Sequence, residues 1–198
     1  MKTIQTTVYT AAELSPRALD IAYDNWAATA TDFEDWDDCA KDDAKEIGKL
    51  LGIDRMKIWY SGFSSQGDGA CFTGFYSYAK DCVKAVKAYA PLDTELHSIA
   101  QRLQDVQRRH FYGLTANLTH GGRYYHENSI SFDVTDGMHE YSNLNADTED
   151  TICEALRDFM RWIYSSLERE YEYETSMAAF LECAEANEYE FTENGRRA

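Results

Sequence analysis

The stretch that decides the fold is MKIWYSGFSSQGDGACFTGFYSY, residues 56–78. Residues 56–63 and 70–78 are rich in aromatic side chains, which favour β-strands. Between them lies the run Ser64-Ser65-Gln66-Gly67-Asp68-Gly69, whose glycines and Asp-Gly pair are typical of a turn between paired strands. The stretch therefore predicts a β-hairpin.

Helical patterns lie on both sides of this hairpin. Ser15 followed by Pro16 predicts the start of one helix, and a second is predicted from about Thr31 to Leu51, where Gly52 ends it. Residues 82–89, 94–111, 152–167 and 177–184 show the apolar spacing of three and four that is typical of further amphipathic helices. Residues 170–174, in which Glu and Tyr alternate, are interpreted as a bridge between the last two helices.

Two more segments alternate between apolar and polar residues. Residues 114–119 and 123–134 have the period of two expected of strands with one buried face, and Gly121-Gly122 lies between them. Residues 3–9 and 189–192 are weaker strand candidates. Strands grouped in hairpins predict an α+β fold, with an antiparallel sheet of about four to six strands and several helices packed on it. Residues 1–198 are expected to form a single domain.

Composition restricts the class of protein. A chain of 198 residues with 44% hydrophobic residues can bury a full core, so global disorder is not expected. No apolar run is long enough for a membrane span, and the first residues lack the apolar segment of a signal peptide, which predicts a cytoplasmic protein. The five cysteines form no CxxC pair and predict reduced thiols, with neither a metal nor a cofactor expected.

The formal net charge is −16, and the sequence pI is about 4.6. Such a charge argues against direct binding to nucleic acid or to an anionic membrane, because both need cations on the protein. It favours a partner with a basic surface. The candidate binding residues lie on the predicted second helix and in the turn. On the helix they are the carboxylates of Asp35, Asp37, Asp38, Asp42 and Asp43, and in the turn they are Gln66 and Asp68. The alternatives are a merely solvated helix face and a turn whose glycines serve only its geometry.

The turn also resembles a catalytic motif. Cysteine proteases of the ovarian-tumour type carry a similar Asp-Gly-x-Cys-Phe element around their nucleophile. The resemblance implies Cys71 as the nucleophile, Asp68 beside the oxyanion site and His126 as the base. Such chemistry requires a thiolate, which a neighbouring histidine would stabilise.

A second resemblance covers nearly the whole chain. Residues 59–74 resemble a family of uncharacterised phage and prophage proteins that share an S-G-F-x-S-Q-G-D-G-A-C-F-x-G string, and residues 107–112, 124–127, 157–164 and 187–191 extend the similarity. Some members carry the label "antitoxin of toxin–antitoxin stability system". The resemblance implies a protein of the bacterial host cytosol. The leading hypothesis is an acidic inhibitor that blocks a basic, nucleic-acid-binding surface of a bacterial defence complex; an antitoxin and the Cys71 hydrolase are the alternatives. The oligomeric state stays open.

Overall fold

A computed structural model describes residues 7–32, 35–137 and 144–198, which form two compact units. We call Met1–Asp37 with Arg169–Ala198 the terminal unit, and Asp38–Glu168 the sheet unit. The helices are α1 (Pro16–Ala27), α2 (Asp38–Leu51), α3 (Cys82–Tyr89), α4 (Thr94–Arg109), α5 (Ala146–Glu174) and α6 (Met177–Ala186), and the strands are β1 (Ile53–Tyr60), β2 (Ala70–Ser77), β3 (Leu114–His120) and β4 (Ile130–Asp136). The single-domain expectation stays a prediction.

The sheet unit contains a four-stranded antiparallel sheet in the order β1-β2-β3-β4. Alternate residues of the strands face a core that helices supply from the same unit. Phe72 of β2, for example, meets Phe159 of α5 edge to face, with ring centroids 5.7 Å apart. Burial of these apolar faces is the main favourable term holding the sheet to its helices. The predicted α+β class, with a sheet of four to six strands, is confirmed.

A bulge interrupts the pairing of β1 with β2 between Asp54 and Lys57. Arg55 has a φ of +53° at this bulge, a left-handed conformation that is uncommon outside glycine. Opposite it, a Cβ atom on Gly74 would lie 2.8 Å from the carbonyl oxygen of Asp54. Glycine at position 74 therefore permits the close approach of the two strands at the bulge.

The terminal unit has its own small apolar cluster. Phe180 and Ala184 of α6 pack with Ala22 of α1 and with Phe191. Ser15 caps α1 by accepting a hydrogen bond from the amide of Ala18, as the Ser-Pro pair predicts. Where the sequence predicts two weak strand candidates near the ends of the chain, the structure has an antiparallel bridge between Tyr9 and Phe191. Residues 3–6 lie outside the described residues.

Three predicted boundaries are wrong. Helix α2 begins at Asp38 rather than near Thr31, because the preceding turn is fixed by tertiary contacts: the ring of Trp36 lies 5.9 Å from that of Tyr171, and Asp37 is buried. Residues 170–174 continue α5 instead of bridging two helices. The last strand begins at Ile130, so His126 does not lie on a strand.

Candidate functional site

The turn of the hairpin is a structured loop, residues 61–69, which we call the motif loop. The Oδ2 atom of Asp68 accepts hydrogen bonds from the amides of Ser64, at 3.0 Å, and Ser65, at 2.6 Å. The amide of Asp68 in turn donates to the carbonyl of Ser65 at 3.1 Å. Gly67 has a φ of +96°, which disfavours other residues at the tip. Asp68 therefore acts as the internal brace of the loop.

The base of the motif loop is held from two sides. The amide of Ser61 donates to the carbonyl of Gly69 at 3.0 Å, and the Ser61 hydroxyl accepts from the Gly69 amide at 3.1 Å. Phe63 stacks between Tyr60 and Tyr164, with centroid distances of 5.7 and 5.5 Å. These contacts fix the loop on rigid elements and leave its tip exposed to solvent.

A second segment, residues 121–129, lies against the motif loop. A Cβ atom on Gly69 would come within 3.2 Å of the His126 ring, so glycine allows the two segments to touch. Between them is an open cavity of about 440 Å³ lined by Gln66, Gly67, Tyr124, His126, Asn128 and Ser129. Tyr124 is 69% exposed at its rim. The predicted residue Gln66 thus lies beside polar groups that sequence reasoning did not connect with it.

Cys71 lies beneath this region and is fully buried, with 0% of its surface exposed. Burial raises the pKa of its thiol, and hydrogen bonds involving the Ser129 side chain and the His126 backbone oppose that shift only in part. A nucleophilic cysteine needs the reverse, a lowered pKa and access to substrate.

His126 and Asp68 are also engaged elsewhere. The Nδ1 atom of His126 lies 3.0 Å from Glu127 Oε2 and 3.2 Å from the Asn128 amide, while the other Glu127 oxygen lies 3.3 Å from Arg161 Nε. Asp68 braces the motif loop. This geometry gives the Cys71, His126 and Asp68 set no support as a hydrolase centre.

The carboxylates predicted on the second helix do not form one acidic surface. Asp35 is exposed but lies outside the helix, and Asp37 is only 2% exposed. Within α2, Asp38, Asp42, Asp43 and Glu46 alternate with Lys41, Lys45 and Lys49. Asp42 forms an ion pair with Lys45 at 2.7 Å, and the Lys45 hydrogen bond lowers the pKa of Asp42. The helix is therefore nearly neutral.

The excess of negative charge lies instead in the terminal unit. Its 67 residues hold 15 of the 35 acidic residues and five of the 19 basic ones, a net charge of −10, against −6 for the longer sheet unit. Six of its carboxylates are exposed on or beside α1 and α6, namely Asp20, Asp24, Glu182, Glu185, Glu188 and Glu190. Sequence reasoning missed this surface, although residues 169–198 alone contain eight acidic and three basic residues.

Neither a metal site nor a membrane-spanning helix is found in the part of the chain that the structure describes. No group of three or more His, Cys, Asp or Glu side chains there is arranged to hold a metal ion. None of the described helices has both the length and the apolar composition needed to cross a bilayer.

Residues 36–177 match the family described as "Domain of unknown function (DUF8835)". The match covers more than half of the chain and includes the motif loop, so the chain belongs to the DUF8835 family. No curated protein and no solved structure matches the chain.

Proposed function

We propose that this protein is a non-enzymatic binding protein whose terminal unit engages a basic surface of a partner protein. The observation that carries the proposal is the charge of that unit. With 15 acidic and five basic residues, at least ten of its carboxylates have no cation of the same unit available for pairing. A unit with such an excess of acidic over basic residues attracts cationic partners and accelerates their association.

The placement of the carboxylates on α1 supports a binding role. Asp20 and Asp24 are exposed four residues apart on the helix, which puts them on the same face. Like charges at this spacing destabilise a helix by about 0.2–0.5 kcal/mol per pair. Helix stability alone therefore does not favour this arrangement, whereas a cationic partner placed against it would.

The nature of the partner is a finer proposal, supported by the phage resemblance. A bacterial protein that binds nucleic acid presents a groove of Lys and Arg, and regularly spaced carboxylates can occupy it in place of phosphates. The defence-complex and antitoxin hypotheses share this physical basis and differ in the partner. Because the interaction joins exposed charges, it should weaken as salt shortens the screening length to about 10 Å at 0.1 M.

The test compares two variants with the same change in charge. The terminal-unit variant replaces four exposed carboxylates by their amides, Glu182→Gln, Glu185→Gln, Glu188→Gln and Glu190→Gln. The matched control does the same on α2, with Asp38→Asn, Asp42→Asn, Asp43→Asn and Glu46→Gln. Each immobilised protein is exposed to bacterial lysate at low and high salt, and the bound proteins are identified and then purified.

We expect a partner that binds the wild type and the α2 variant at low salt and is released by salt. The terminal-unit variant should bind it at least about tenfold more weakly, since several exposed charge contacts are lost together. Equal binding by both variants would contradict the proposal. Selective loss in the α2 variant would instead restore the original acidic-helix prediction. Competition by DNA for the purified partner tests the nucleic-acid-mimic part separately.

A further inference from the structure

The face of the sheet turned away from the helical core carries a groove of about 570 Å³. Its lining combines three strands and consists of Arg55, Lys57, Trp59, Thr73, Gly74, Phe75, Asn117, Leu118, Thr119 and His120. The register explains why most of these side chains share a face, because Lys57 pairs with Thr73 and Phe75 pairs with Asn117. Gly74 pairs with Leu118 on the core-facing side of the sheet, where Leu118 is buried. The groove is wide open to solvent, so a ligand would lie on the sheet surface and not in an enclosed cavity.

One end of the groove is aromatic. The rings of Trp59 and His120 stack at 28° with centroids 6.0 Å apart, and Tyr125 lies 6.4 Å from Trp59 at an interplanar angle of 9°. A contact of 3.0 Å between His120 Nε2 and the Tyr124 carbonyl fixes the imidazole. Nearly parallel rings, held in place and partly exposed, offer a platform on which another planar ring can stack.

The other end of the groove is cationic. Arg55 and Lys57 are exposed, and neither makes an ion pair among the described residues. The bulge at residues 54–57 gives Arg55 its left-handed backbone and so sets where this cation stands. Two carboxylates share the face, Asp54 opposite Phe75 and Asp133 opposite Asn117. Both stand in the row of the lining residues Phe75 and Asn117, and Asp54 directly precedes Arg55 in the chain. Lys57 pairs with Thr73 in the neighbouring row, which lies closer to Trp59.

We propose that this groove binds a nucleotide unit, with the base against the Trp59 platform and the phosphate beside Arg55 and Lys57. Aromatic stacking and cationic phosphate contacts are the two interactions by which open sheet surfaces hold single-stranded nucleic acid. Asn117, Thr73 and Thr119 add hydrogen-bonding groups to the lining of the groove. The nucleotide can come from a free mononucleotide or from a single strand.

The groove carries exposed cations, although the chain as a whole is strongly negative. The expectation against nucleic-acid binding follows from the net charge of −16, of which the terminal unit holds −10. The cations of the groove belong to the sheet unit, whereas the acidic surface discussed above belongs to the terminal unit. Long-range repulsion by the rest of the chain should slow association and favour short ligands.

The experiment measures the binding of fluorescently labelled eight-nucleotide RNA and DNA strands by anisotropy, with uridine and adenosine monophosphates as competitors. Inorganic polyphosphate serves as a polyanion without bases. The variants are Trp59→Leu, Trp59→Phe and Lys57→Gln, and the matched control is Lys87→Gln, which removes an exposed cation from α3. Circular dichroism checks that each variant is folded.

We expect Trp59→Leu to weaken binding at least about fivefold, because stacking of one base is lost, and Trp59→Phe to restore most of it. Lys57→Gln should lower the dependence of log affinity on log salt by about 0.7, the value for one lost phosphate contact on a single strand. Lys87→Gln should change neither quantity. If mononucleotides compete with the labelled strands, a free nucleotide is sufficient for binding. If they do not compete, the groove requires a nucleotide that is part of a strand.

Three results would overturn the inference. The first is no binding of strands or mononucleotides up to millimolar concentrations. The second is that polyphosphate binds as tightly as the strands and that Trp59→Leu has no effect on binding. Binding would then depend on charge alone. The third is an equal loss in Lys57→Gln and Lys87→Gln. None of these results depends on whether the terminal unit binds a basic partner.

Discussion

Replacing Gln107 should destabilise the sheet unit more than any exposed substitution on the same helix. Gln107 is fully buried, with 0% of its surface exposed, near the end of α4. Its Nε2 donates to the Leu114 carbonyl at 2.7 Å and to the Tyr76 hydroxyl at 3.3 Å, and its Oε1 accepts from the Leu114 amide at 3.1 Å. This one side chain therefore links α4, β2 and the start of β3.

Gln107→Met keeps the length of the side chain but removes all three hydrogen bonds. Each buried polar group left without a partner costs about 1–3 kcal/mol, so with partial relaxation we expect a loss of about 3–6 kcal/mol in the free energy of unfolding. The control is Gln101→Met, at an exposed position of the same helix, which should change stability by less than about 0.5 kcal/mol. Urea unfolding followed by circular dichroism measures both.

Tyr76→Phe provides an independent check if Gln107→Met does not fold. It removes one partner of Gln107 and should cost about 1 kcal/mol. A double variant with Gln107→Met and Tyr76→Phe has no Tyr76 hydroxyl to be left without a partner. Its loss of stability should therefore be smaller than the sum of the two single losses by about 1 kcal/mol. A Gln107→Met protein within about 1 kcal/mol of the wild type would refute the reasoning, because three buried groups would then have no measurable cost.

Gly52→Ala should destabilise the protein by about 2–4 kcal/mol in urea unfolding, because position 52 has a φ of +92° and a Cβ atom would lie 2.0 Å from the Ser77 carbonyl oxygen. A thiol reagent at pH 7.5 should label the exposed Cys39 first and the buried Cys71 only after unfolding, as read by peptide mass spectrometry; fast labelling of Cys71 would contradict its assigned burial. Burial raises the pKa of Cys153 from 9.0 to about 11, so the unfolded chain loses this proton first and the free energy of unfolding should fall between pH 9 and pH 11. Cys153→Ala should make that fall shallower, and an unchanged slope would disprove the contribution.

Sequence reasoning succeeded where the decisive interactions are local. The Ser15-Pro16 start of α1 was predicted correctly, because a capping side chain and its amide partner lie within three residues. It failed at His126, whose neighbours alternate as a strand would. The His126 ring accepts from the Asn128 amide and its backbone bonds reciprocally with Ser129, and such local bonds compete with strand pairing.

The candidate site residues show the same contrast between local interactions, which the sequence reveals, and long-range packing, which it does not. The motif loop was found because glycine and Asp-Gly at its turn restrict backbone geometry within a few residues. The cavity beside Gln66 and the groove on the sheet were not found, because their lining residues come from segments about 60 positions apart in the chain. The burial of Asp37 was equally hidden, since an aspartate in an acidic run gives no sign of which carboxylate faces the protein interior.

The sequence by itself determined the α+β class, the hairpin at residues 56–78 and the acidity of the chain, because periodicity, turn residues and charge are properties of short segments or of simple counts. Only the tertiary structure decided which groups are available for binding. It buries Cys71 and Asp37, and it brings Trp59 of β1 beside His120 of β3 on an open face. The physical reason is that solvent exposure and electrostatic environment depend on which distant segments pack together, and local propensity does not encode that choice.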